Sequence, residues 1–99
     1  MELRVLKYFQ EVAKEQNITK AAENLHITQP TLSRQLKSLE EELGQQLFVR
    51  SSHNIQLTNE GKLLSKRTAD ILNMVDKTTN EFKAMHDFTG GYVDLGCAE

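Results

Sequence analysis

Cysteine occurs once, at Cys97, so the chain has neither a disulfide framework nor a cysteine metal site. His26, His53 and His86 are scattered without ligand spacing and read as surface polar residues, so no metal and no cofactor are expected. There is no Gly-rich phosphate loop, and no nucleophile–base–acid triad can be assembled from the motifs present. Catalysis has no footing here. No apolar run approaches the ~18–20 residues that cross a bilayer. The opening MELRVLKYFQEVAKEQ is amphipathic, unlike a signal sequence, and the expected compartment is the cytoplasm. What remains is a chain of 99 residues, 38% hydrophobic and 26% charged, enough for one small domain or a small domain plus a long helix. A core of that size gains from a partner subunit.

Positive charge is also short: the formal net charge is −2, which at first argues against a nucleic-acid partner. Distribution matters more than the sum, because phosphate attraction acts over roughly a Debye length. From His26 through Ser38 the only charged residues are Arg34 and Lys37. From Val49 to Arg67 they are Arg50, Glu60, Lys62, Lys66 and Arg67, whereas acids gather at Glu40–Glu42 and at Asp70, Asp76 and Glu81. An acidic chain can carry a basic face.

Residues 2 to about 15 read as an amphipathic helix with Val5, Leu6, Phe9, Val12 and Ala13 on one stripe and Leu3 at its edge. A second helix of barely two turns follows, capped by Thr19, with Ala21, Ala22 and Leu25 inward and Ala22 small enough for a close crossing. The connection HIT is so short that only a sharp helix-to-helix turn fits.

Proline is the scarcest residue with a position that matters. Thr28 caps the third helix, and Pro30 lies in its first turn, where its missing N–H costs no intrahelical bond. Leu32, Leu36, Leu39 and Leu43 recur at 4-3-4 spacing as a buried stripe, and Gly44 ends the helix. Pro30, Arg34, Lys37 and Glu41 project on the opposite side, flanked by Thr31 and Ser38, with Gln29 and Ser33 on the other shoulder. Glu40–Glu42 sit near the C-terminus against the helix dipole's preference; beyond a Lys37–Glu41 pair, they read as a solvated face.

In QLFVRSSHNIQLT the period changes. Leu47–Val49 and Ile55–Leu57 read as two short strands around a Ser51–Asn54 turn, with Arg50 and His53 at its edges. A two-stranded ribbon is marginal alone and must lean on the helices. The predicted fold is mainly α: a winged helix-turn-helix over residues 1–58. Thr58 then caps a long helix, residues 59–87, ending near Met85 or His86. Leu64, Thr68, Ile71, Val75, Thr78, Phe82 and Met85 repeat as the a/d seam of a coiled coil, softened by its two threonines. A second copy of the chain is the expected cover for that seam; the competing expectation folds the helix back on the first three. Residues 88–99 read as a Gly-rich hinge and the opening strand of a truncated further domain.

An α-helix fits the major groove of B-DNA, and its N-terminal residues reach base edges most easily. Gln29 can pair bidentately with adenine, Arg34 with guanine, and Thr31 can touch a thymine methyl. The compact side chains around Pro30 let the backbone approach the groove floor. Thr28, Ser33, Lys37 and the helix N-terminus suit phosphate oxygens. Arg50 and His53 would reach the flanking backbone or minor groove.

At this point the stretch AAENLHITQPTLSRQLKSLEEELGQQLFVRSSHNIQLTNEG closely resembles the N-terminal signature of LysR-type transcriptional regulators. The match runs from about Leu3 to Gly61, continues through the long helix and includes GGYVDLG near the end. Its Ala-Ala, Gln-Pro, Leu-Glu, Leu-Gly, Leu-Phe-x-Arg and Leu-Thr-x-x-Gly landmarks are specific in combination. The resemblance implies a homodimer joined through linker helices, often a dimer of dimers, on inverted-repeat promoter DNA. It also implies a C-terminal domain, similar to periplasmic binding proteins, that senses a small-molecule effector. Two residues depart from the pattern. His53 replaces a common arginine in the wing, which weakens the flanking contact or makes it pH-sensitive, and Glu60 replaces a frequent alanine. An interaction module that has lost DNA affinity is the other class of function the sequence leaves open.

Overall fold

The computed structural model describes residues 1–51 and 54–88. Helices α1 (Leu3–Glu15), α2 (Ile18–Leu25) and α3 (Gln29–Leu43) come first. Strands β1 (Phe48–Arg50) and β2 (Ile55–Leu57) then precede α4 (Asn59–Phe88). The strands pair antiparallel, with Phe48 opposite Leu57 and Arg50 opposite Ile55. The order is the expected one. The first strand starts one residue later than its apolar run, at Phe48, and α4 runs slightly past His86.

Each of the first three helices stops by the same device: a residue in the left-handed region whose backbone N–H reaches back to the last turn. Gln16 (φ 55°), His26 (φ 60°) and Gly44 (φ 69°) fill these positions. Only the third uses the residue that adopts this conformation without steric cost. In the helix-turn-helix the bend is reinforced by Ile27 N–H donating to Ala22 O at 3.1 Å. The start signals are mixed. Thr28 Oγ1 accepts from Thr31 N–H, as expected of a cap. The second helix, however, is capped by Asn17, whose Oδ1 accepts from Lys20 N–H at 2.9 Å, and Thr19 lies inside it. Both residues have the right chemistry; the helix begins at the earlier one because Ile18 is buried and must already be in the helix.

The core draws on every element of the winged domain: Val5, Phe9 and Val12 from α1, Ile18, Ala21 and Ala22 from α2, Leu32, Leu36 and Leu39 from α3, with Leu47 and Ile55. Phe48 lays its ring 5.3 Å from that of Phe9. The leucine stripe of α3 therefore faces inward, except at its end, where Leu43 is exposed contrary to expectation. The stripe outlasts the core by one turn. Truncating Leu32, which is fully buried, costs about 2–5 kcal/mol by analogy with other core leucines.

The ribbon is fastened at three places. Ile55 N–H donates to Gln16 O, Thr58 N–H donates to Leu47 O, and the carboxylate of Glu40 receives Leu47 N–H at 2.7 Å and Phe48 N–H at 3.4 Å. Thr58 also caps α4 through Gly61 N–H at 3.0 Å while donating its hydroxyl to Gln46 O. Gly61 is buried so close to β1 that an added Cβ would stand 2.1 Å from Leu47 O. That contact explains the Leu-Thr-x-x-Gly landmark physically: the threonine turns the chain and the glycine lets the new helix touch the ribbon.

Helix α4 has two regimes. Its first turns pack on α1, where Gln10 Nε2 donates to Ser65 O and Ser65 Oγ donates to Gln10 Oε1. Leu64 packs against the core and Thr68 is fully buried within the single chain. The expectation that nothing in the chain covers the seam therefore fails for Leu64 and Thr68. Beyond Leu72 the helix leaves the domain, and Met74, Val75, Phe82 and Met85 are exposed.

Candidate nucleic-acid interface

The outward side of α3 is as polar and as open as its spacing predicts. Thr28, Gln29, Pro30, Arg34 and Lys37 are exposed, and Thr31 and Ser33 are half-buried. Thr28 and Thr31 share a hydroxyl–hydroxyl bond of 2.8 Å, so the first turn is braced by its own side chains. Pro30 sits in that first turn, as expected.

Between α3 and the ribbon runs an open groove of about 550 Å³. Ser33, Arg34, Lys37 and Glu40 form one wall, Gln46, Phe48, Val49 and Arg50 the other, and Leu36 and Ile55 also line it. Arg50 is exposed at the end of β1. The basic side chains of the helix and of the wing thus border one groove, although 16 positions separate Arg34 from Arg50 in the sequence. Arg34, Lys37 and Arg50 enter no ion pair among the described residues. Three cations without acidic partners on one open groove favour an anion as occupant. His53, expected on the wing, lies outside the described residues.

A smaller recess of about 350 Å³ adjoins this groove, where Gln29 and Arg50 meet Gln16, Asn17, Thr19, Ser51 and Asn54. Sequence reasoning missed those last five. Their proximity comes from the Ile55–Gln16 bond, which swings the wing against the end of α1, and no local pattern signals it.

The acids of α3 are a correction. They are not simply a solvated face. Glu40 binds the ribbon, and Glu42 takes the amino terminus of Met1 at 2.7 Å. Lys37 and Glu41 form no ion pair among the described residues.

The described residues contain no group of three or more His, Cys, Asp or Glu able to hold a metal. None of their helices is long and apolar enough to cross a membrane. An Asn-capped short helix, a three-residue turn, a second helix with a polar outer face and an antiparallel wing beside it define a winged helix-turn-helix protein. Residues 3–62 match the model of the bacterial regulatory helix-turn-helix protein, lysR family, and the chain belongs to that family. It is 42% identical over 97 residues to the HTH-type transcriptional regulator BsdA of Bacillus subtilis, covering 97% of this chain and 33% of that one. It is 47% identical over 83 residues to the HTH-type transcriptional regulator BenM of Acinetobacter baylyi, covering 84% of this chain and 27% of BenM. The chain thus spans about a third or less of these relatives. Among solved structures, a BenM DNA-binding domain in complex with benA site 1 DNA superposes with a TM-score of 0.83 at 46% identity, covering 86% of this chain and 99% of that one. These relatives are transcriptional regulators and not enzymes.

Proposed function

We propose that this chain is the DNA-binding part of a transcriptional regulator that reads duplex promoter DNA with α3 and grips the flanks with its wing. One observation carries the reading: Arg34, Lys37 and Arg50, which enter no ion pair among the described residues, border a single open groove behind which Leu32, Leu36 and Leu39 of α3 are sealed into the core. The similarity to domains solved on DNA supports it.

In this reading Gln29, Pro30, Thr31 and Arg34 meet base edges, because they lie in the first turns of a helix that enters the major groove. Thr28, Ser33, Lys37, Arg50 and His53 hold phosphates and set the register. The exposed apolar residues of distal α4, together with Ile71, Val75 and Thr78, meet the same helix of a second copy. Two reading helices would then face an inverted repeat. Pairing of dimers into a tetramer and response to a small-molecule effector through a C-terminal domain complete the proposed regulator, which works in the cytoplasm. Catalysis has no part in the reading.

The test is selection of bound duplexes from a random pool, followed by an anisotropy titration of the enriched sequence against ionic strength. The expected result is an enriched inverted repeat whose log affinity falls linearly with log salt, at roughly −0.9 per phosphate neutralised. Failure to enrich any sequence, with no salt-dependent complex, would instead make the domain a protein-interaction module.

A further inference from the structure

A carboxylate on the wall of a groove meant for a polyanion is out of place unless it has other work. Glu40 is half-buried on that wall, one helical turn beyond Lys37. Its Oε2 accepts N–H groups from both Leu47 and Phe48, where β1 begins, and its backbone carbonyl accepts Gln45 N–H at 3.2 Å. The bonds of this one residue of the reading helix thus bracket the Gly44–Gln46 turn on both sides. Glu40 anchors the start of the wing through a short carboxylate bond to Leu47 N–H at 2.7 Å, of the stronger charge-assisted kind, and a longer one to Phe48 N–H at 3.4 Å.

Resting on the DNA reading above, we propose that Glu40 is a positioning residue for DNA binding. It sets the wing against α3, so that Arg50 and the pair Arg34 and Lys37 engage one duplex together, without itself touching DNA. The geometry favours this over simple stabilisation. The other two fastenings, Ile55 to Gln16 and Thr58 to Leu47, tie the ribbon to α1 and to its own end. The side chain of Glu40 supplies the fastening from α3 to β1, the strand that carries Arg50.

The experiment is a double-mutant cycle of Glu40 and Arg50 on the duplex enriched from the random pool. Arg50→Ala should weaken binding about tenfold in the parent chain and flatten the salt slope by about one. Glu40→Ala should reproduce both effects and leave Arg50→Ala with less than about twofold further cost, the signature of coupled residues. Glu40→Gln, which keeps a carbonyl acceptor at the same reach, should restore most of the affinity and the steeper slope. A merely structural role would lower the melting temperature while leaving the Arg50 cost intact, and that result overturns the proposal. If Glu40→Ala fails to fold, Glu40→Asp, with its carboxylate drawn back by one methylene, carries the same cycle with the same two outcomes. Arg34→Ala in both backgrounds separates the two ideas. Its cost should persist wherever Glu40 stands, and a silent Arg34→Ala would sink the DNA reading itself.

Discussion

The two ends of α4 obey different rules although they share one apolar repeat. Near its start, Gly61 is pressed against Leu47, Ser65 exchanges two hydrogen bonds with Gln10, and Thr68 is fully buried. Further along, Phe82 is 67% and Met85 62% exposed, and no residue of the described chain covers them. The threonines show the contrast most directly. Thr78 and Thr79 return their hydroxyls to Met74 O and Val75 O and stand in solvent, whereas the buried Thr68 hydroxyl has no partner among the described residues. A 4-3 repeat says that a helix has a buried side; it does not say which molecule does the burying.

The strongest way to break this comparison is at the fixed end. Gly61→Ala places a methyl against a backbone carbonyl that cannot move without carrying β1 with it. A loss of more than about 3 kcal/mol in unfolding stability is expected, independent of protein concentration. Chemical denaturation at two concentrations checks both parts. At the free end, Phe82→Asp should leave the winged domain folded but weaken self-association, raising the dimer dissociation constant by about 100-fold or more as an apolar anchor becomes a charge. Sedimentation velocity decides it. An intact dimer would assign the exposed stripe to some other partner.

A smaller effect of opposite sign is expected between the two regimes. Thr68→Val replaces an unpartnered buried hydroxyl with a methyl of similar size and should raise stability by about 1 kcal/mol. A loss of stability would mean that the hydroxyl finds a partner, a buried water or a second chain, which the single chain does not show.

These contrasts also mark where the sequence was legible. Features decided within a few residues could be read directly. Pro30 after Thr28 starts α3, Gly44 ends it, and Thr58 three positions before Gly61 starts α4, because caps and turns are local chemistry. The face of α3 that stays open was equally legible from leucine spacing. Features decided by distant contacts were not. Asn17 and Thr19 are both competent caps, and only the burial of Ile18 chooses between them. Glu40 looked like one acid in a cluster of three until the ribbon brought two N–H groups to it. Leu43 continues the stripe in sequence but lies beyond the core that would cover it. Of the candidate groove, the exposed α3 side chains were readable in advance. The recess joining Gln29 and Arg50 to Asn17 and Thr19 came only from the docking of the wing.

Sequence-specific regulation by this domain requires that the open side of α3 distinguish base pairs. The direct measurement is the affinity of Arg34→Ala and Lys37→Ala for the enriched duplex and for all of its single-base variants. Arg34→Ala should lose about 1–3 kcal/mol on the enriched duplex and become indifferent to the base at one position, whereas Lys37→Ala should weaken every duplex evenly. Equal losses from both substitutions across all duplexes would contradict it.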